Sequence, residues 1–92
     1  MNAALEKLKQ RFRERCTADR TSLQQMTQAG DVDGVRMLAH KLAGAAGTFG
    51  FAPLSEAALH LEDQVAYGER PDPALVGALD AMLAVVGENA RA

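Results

Sequence analysis

The chain has one cysteine, three prolines and no tryptophan, and aromatic residues make up only 4% of its 92 positions. A single thiol, Cys16, excludes an internal disulfide and fits a reducing cytosol. No apolar run approaches the roughly 20 residues that a membrane-spanning helix needs. The opening Met-Asn-Ala-Ala-Leu-Glu-Lys lacks the charged-then-apolar order of a signal peptide, so a soluble, cytoplasmic protein is expected. His40 and His60 are joined by no Cys or carboxylate cluster at ligand spacing, which argues against a metal site. Neither an ATP-binding motif nor a kinase core is present, and no cofactor is implied.

Charge is unevenly spread. The formal net charge is −2, but residues 1–20 hold six bases against three acids (+3) and the remainder four against nine (−5). A basic first helix can contact nucleic acid. Here Lys7, Lys9, Arg11, Arg13, Arg15 and Arg20 alternate with Glu6, Glu14, Asp19 and core positions, and no aromatic platform accompanies them. A solvated helix face is the better reading, with a contribution to docking an acidic protein partner as a further option.

What the chain does have is alanine, leucine and helical periodicity. Hydrophobic residues are 48% of the sequence, and they recur at helix spacing in four segments. The first helix is expected from Ala3 to Gln28, about 39 Å long at 1.5 Å per residue, with Leu5, Leu8, Phe12, Cys16, Leu23 and Met26 on one stripe interrupted by Asp19. Gly30 breaks it. Asp31 is a suitable N-cap for the second helix, which carries Val35, Leu38, Ala39, Leu42, Ala46 and Phe49 on its apolar face and stops near Gly50. Pro53 fits the first position of a third helix, bearing Leu54, Ala58, Leu61 and Val65 and ending at Gly68. Asp72-Pro73 repeats the cap-and-proline signal for a fourth, with Leu75, Leu79, Met82, Leu83 and Val86 inward. Short connections then predict an all-α, antiparallel up-down four-helix bundle with a long first helix, one domain over residues 1–92, frayed at 1–2 and 89–92.

His40 stands off the apolar stripe of the second helix, with Gly44 one turn later and Gly47 two turns later. Glycine inside a helix costs about 0.5–1 kcal/mol relative to alanine. Two such residues on the solvent side of an imidazole indicate that bare backbone is needed there, so that another molecule can come close to the ring.

The segments Ala39-His40-Lys41-Leu42-Ala43-Gly44 and Ala45-Ala46-Gly47-Thr48-Phe49-Gly50-Phe51 resemble the signature of histidine-containing phosphotransfer domains. Gly-Thr-Phe-Gly-Phe is also similar to the phosphoacceptor domain of chemotaxis-type histidine kinases, and the likeness extends through Leu54, Ala58, Leu61 and Glu62. The resemblance implies a monomeric phosphorelay intermediate. His40 would accept a phosphoryl group from an aspartyl phosphate on a response-regulator receiver domain, in some pathways one fed by a hybrid histidine kinase, and pass it to another receiver. The magnesium ion and acidic catalytic pocket belong to the receiver on that reading, so the chain is a carrier and not an enzyme. The chemistry suits imidazole, which titrates near 6.5 when free and is largely a neutral nucleophile at pH 7. Phosphoryl transfer through a loose transition state depends mainly on in-line positioning and charge stabilisation.

Neighbouring residues take expected roles. Arg36, four residues before His40, places a guanidinium on nearly the same helix face, and Lys41 is adjacent but about 100° away. By the resemblance Glu62 occupies the position of a glutamate that hydrogen-bonds the histidine, fixing its tautomer. Met37, Ala43, Gly44 and Gly47 are expected around the ring as partner-docking positions. Ala43 departs from the family, which commonly has lysine there. That substitution keeps open a phosphate-independent module that binds and sequesters a receiver. The kinase-like stretch at 47–51 keeps open an acceptor domain phosphorylated by a separate histidine kinase.

Overall fold

The computed structural model describes residues 3–90, and four helices account for most of them: α1 (Ala3–Ala29), α2 (Val32–Thr48), α3 (Ala52–Gln64) and α4 (Pro73–Asn89). The caps follow from the sequence. Asp31 accepts a hydrogen bond from the Gly34 amide at 3.0 Å, and Asp72 one from the Ala74 amide at 2.9 Å, each satisfying a donor that the first helical turn leaves without an intrahelical partner. Pro73 opens α4, where a missing amide hydrogen is harmless. Gly50, at φ +84°, makes the turn between α2 and α3 in a region that other residues rarely enter.

Helix ends differ from expectation by small steps. The first helix runs one residue further, to Ala29. The third begins at Ala52, before Pro53, and ends at Gln64 with Val65 as its C-cap, leaving residues 65–67 as a turn before Gly68. Of the ends expected to fray, Asn89 closes α4 with Ala90 as its cap, and residues 1, 2, 91 and 92 lie outside the described residues.

Each helix packs on its sequence neighbours, and α4 closes the ring on α1. The register is antiparallel. Along α1 and α4, Gln10 Nε2 reaches the Ala90 carbonyl at 3.1 Å and Arg20 Nε reaches Asp80 Oδ1 at 3.0 Å, so one helix ascends as the other descends. Between α2 and α3, His40 meets Glu62 while Ala43 meets Ser55. Gln24 adds a second donor to Asp80, so the partly exposed flank of α4 is tied to α1 by charge as well as packing.

The core comprises Phe12, Cys16 and Leu23 of α1, Val35, Ala39, Leu42, Ala43 and Ala46 of α2, Leu54, Ala58 and Leu61 of α3 with Val65, and Leu79 and Leu83 of α4. Each fully buried leucine contributes about 1.5–3 kcal/mol relative to exposure. Met26, Leu38, Phe49, Leu75 and Val86 are partly buried against it, and three stripe residues are exposed. Leu5 and Leu8 are exposed because α1 overhangs: Gln10 already lies level with the end of α4, and Phe12 with Phe49 and Phe51 at the α2–α3 turn. Met82 lies on the flank of α4 and remains partly in solvent.

Candidate functional site

α2 is packed by α1 on one flank and α3 on the other, so its apolar face is wide and only a narrow strip remains outward. His40 lies on that strip near the α3 flank, with its side chain 75% exposed. Its Nδ1 lies 2.7 Å from Oε2 of Glu62, a residue of α3 whose side chain is 23% exposed. A carboxylate only accepts, so Nδ1 carries the hydrogen and donates. In the neutral ring, Nε2 then holds the lone pair. Among the described residues Nε2 has no hydrogen-bond partner.

Two shallow hollows flank the ring, and they differ in character. One is lined by Arg36, Met37, His40, Lys41 and Glu62, and brings two cations to the imidazole. The other is lined by His40, Ala43, Gly44, Leu59 and Glu62, and is apolar apart from the ring and its carboxylate partner. The Arg36 guanidinium is held only loosely, 3.9 Å from Asp33 one turn earlier, with both side chains well exposed. It retains the freedom to turn toward an anion.

Gly44 faces open space: a Cβ added there meets nothing within 4 Å. Its carbonyl accepts a hydrogen bond from Thr48 Oγ1 at 2.9 Å, which ties down the polar side chain one turn on and keeps the strip low. Met37 stands 55% exposed on the other side of the ring, in the cationic hollow. Gly47 is exposed but turns toward α3, where an added Cβ would lie 3.4 Å from Ser55 Oγ. Ser55 in turn donates to the Ala43 carbonyl at 2.8 Å, pinning α3 to α2 next to the ring.

Ala43 is the expected docking residue that the structure places differently. It is 8% exposed and belongs to the core, because it lies on the flank of α2 that α3 covers. It borders the apolar hollow but offers a partner little area. One neighbour of the ring, and one charge in the adjoining α1–α2 groove, escaped the sequence reading. Leu59, 44% exposed, supplies the apolar wall from α3, and an apolar residue off the stripe of that helix was its signal. Asp19, the charge interrupting the α1 stripe, lies half-buried in a groove that also holds Lys41.

The remaining candidates have plain surroundings. His60 is exposed on α3, away from His40. Cys16 is fully buried and its thiol donates to the Phe12 carbonyl at 3.3 Å. Burial, with Asp19 nearby adding to it and Arg15 opposing, pushes that thiol up to about 11. No group of three or more His, Cys, Asp or Glu among the described residues could hold a metal ion. None of the described helices is long and apolar enough to cross a membrane.

The arrangement provides a nucleophilic nitrogen facing solvent, anchored through its other nitrogen and bordered by cations. Compared with known proteins, residues 7–89 match the sequence model of the Hpt domain. No curated protein and no solved structure matches the chain.

Proposed function

Because the chain belongs to the Hpt domain family, whose members are phosphocarriers of phosphorelay signalling working with receiver domains and kinases, we propose that His40 is its phosphoacceptor. The observation that carries this is the exposed ring whose Nδ1 is held by Glu62 at 2.7 Å while Nε2 is open. In the proposed step the Nε2 lone pair attacks the phosphorus of an aspartyl phosphate on a receiver domain. The Nε2–P bond forms as the aspartyl O–P bond breaks, and the electron pair leaves on the aspartate. The ring becomes cationic, and Glu62 faces the Nδ1–H that shares this charge, stabilising the product. Arg36 and Lys41 border the position the phosphoryl oxygens would take. Transfer to a second receiver reverses the same bonds.

Positioning and charge supply most of what phosphoryl transfer needs, so a carrier requires little more than this. The metal and the acidic pocket that activate the aspartate are assigned to the receiver. Gly44, Met37 and Leu59 form the low apolar strip on which that receiver would rest.

The test is incubation with a phosphorylated receiver. The chain should acquire an acid-labile, alkali-stable phosphoramidate that is absent from a His40→Gln variant. Labelling that persists in the variant overturns the assignment, and receiver binding with no label at all favours sequestration. The His40–Glu62 pair also supports a second reading, an acceptor phosphorylated by a separate histidine kinase from ATP, as the kinase-type resemblance implies. Label appearing with a kinase and ATP but no receiver selects that scheme.

A further inference from the structure

On the flank of α2 away from Glu62, a groove runs between α2 and α1. Phe12, Leu38, Leu42 and Ala45 line its apolar part, and three charged residues share it: Arg15, Asp19 and Lys41. Lys41 therefore borders two sites, since it also lines the cationic hollow beside His40. Its place in the helix explains why. It follows the histidine by one residue, about 100° round the axis, on the side of α1. Among the described residues its ammonium has no ion-pair partner within 4.0 Å. A compact charge on a flexible four-carbon stem can serve either side.

Asp19 is the anion in that groove. Burial raises its pKa, and the fields of Arg15 and Lys41 pull it back down. Asp19 and Lys41 thus share the groove beyond ion-pair distance, where opposite charges still attract. A phosphoryl group on His40 brings close to two negative charges against one on Asp19, and Glu62 offsets the cationic ring beneath it, so at comparable distance the phosphoryl oxygens draw the ammonium more strongly.

We propose that Asp19 is a positioning residue: it holds Lys41 over the α1–α2 groove in the unphosphorylated protein and yields it to the phosphoryl group once His40 is modified. This rests on the reading of His40 as phosphoacceptor. Asp19 thereby reduces the positive charge offered to an incoming phosphate. When phosphohistidine forms, Asp19 loses one of its counter-charges, and α1 registers the state of α2 without any backbone movement.

The test uses potassium phosphoramidate as a small phosphodonor, with His40 labelling followed by intact mass. The Asp19→Asn variant should label about two- to fivefold faster than the unaltered chain, the size of one screened charge contact. In a Lys41→Gln background the same substitution should change nothing. Equal rates for Asp19→Asn and the unaltered chain overturn the proposal, as does an acceleration that survives removal of Lys41, which would mark a general field effect. Should a variant fold poorly, the unaltered chain suffices: the Asp19 carboxyl and Lys41 Cε carbon NMR signals should both move on phosphorylation, and two stationary signals refute the idea. A chain that phosphoramidate does not label at His40 sinks the carrier reading and this inference together. A labelled chain indifferent to Asp19 sinks this inference alone.

Discussion

Glu62 Oε2 and His40 Nδ1 lie 2.7 Å apart, joining α3 to α2 through a carboxylate of one helix and the imidazole of the other. Replacing Glu62 by glutamine keeps an oxygen that can accept from Nδ1 but removes the charge facing a cationic ring. Hydrogen bonds to charged groups exceed neutral ones by about 1 kcal/mol, so transfer to His40 should slow about five- to tenfold. Glu62→Ala should slow it further. Rapid-quench measurement of phosphoryl transfer from a phosphorylated receiver checks this, and unchanged rates would show that the pair has no part in the chemistry.

At Gly44 the structure separates stability from function. With nothing within 4 Å of an added Cβ, Gly44→Ala should stabilise the bundle by about 0.5–1 kcal/mol through helix propensity alone. Gly44→Leu should fold equally well yet transfer roughly 10- to 100-fold more slowly, because the side chain stands where a partner must seat. Thermal melts and transfer assays on the same two proteins decide it. A fully active leucine variant removes the case for an open approach.

Asp19 carries a pH signature. Its pKa is raised in the folded protein, chiefly by burial, so the native state holds this proton more tightly than the unfolded chain does. Stability linked to Asp19 is therefore lost as pH rises from the ordinary aspartate value through the raised one, and the cost of the buried charge stands in full at neutrality. Asp19→Asn should melt at a higher temperature than the unaltered chain at pH 7, and the difference should close in acid. Parallel melting curves from pH 3 to pH 7 test this; a gap that is constant with pH would assign it to packing instead.

At Gly87, α4 packs closely on α1. A Cβ built there lies 2.9 Å from Thr17 Oγ1 and 3.8 Å from Cys16 Cβ. Gly87→Val should force the two helices apart and cost about 1–3 kcal/mol, while Gly87→Ala, which needs only a turn of the Thr17 hydroxyl, should cost less. Denaturant titration of both variants measures the difference. An equally stable valine variant would show that this contact is slack.

Much of this was legible in the residues. Asp31 and Asp72 announced their helices because a cap acts through local hydrogen bonds that sequence alone determines. His40 and Gly44 stood out because they broke the apolar period in one place. The burial of Ala43 was not legible for a physical reason: a single stripe describes a helix with one neighbour, whereas α2 has two and buries a wider arc. Leu5 and Leu8 fit the period perfectly well, but period carries no information about how far a partner helix extends. The groove joining Asp19 to Lys41 depends on residues 22 positions apart meeting across two helices, which no local pattern encodes.

The overhang of Ser55 onto the Ala43 carbonyl has a consequence for traffic through the molecule. By locking α3 against α2, it fixes the carboxylate of Glu62 beside the imidazole and leaves the ring exposed on one face of the bundle. On the proposed reading of His40 as phosphoacceptor, donor and recipient would share this one exposed face, each departing before the other arrives.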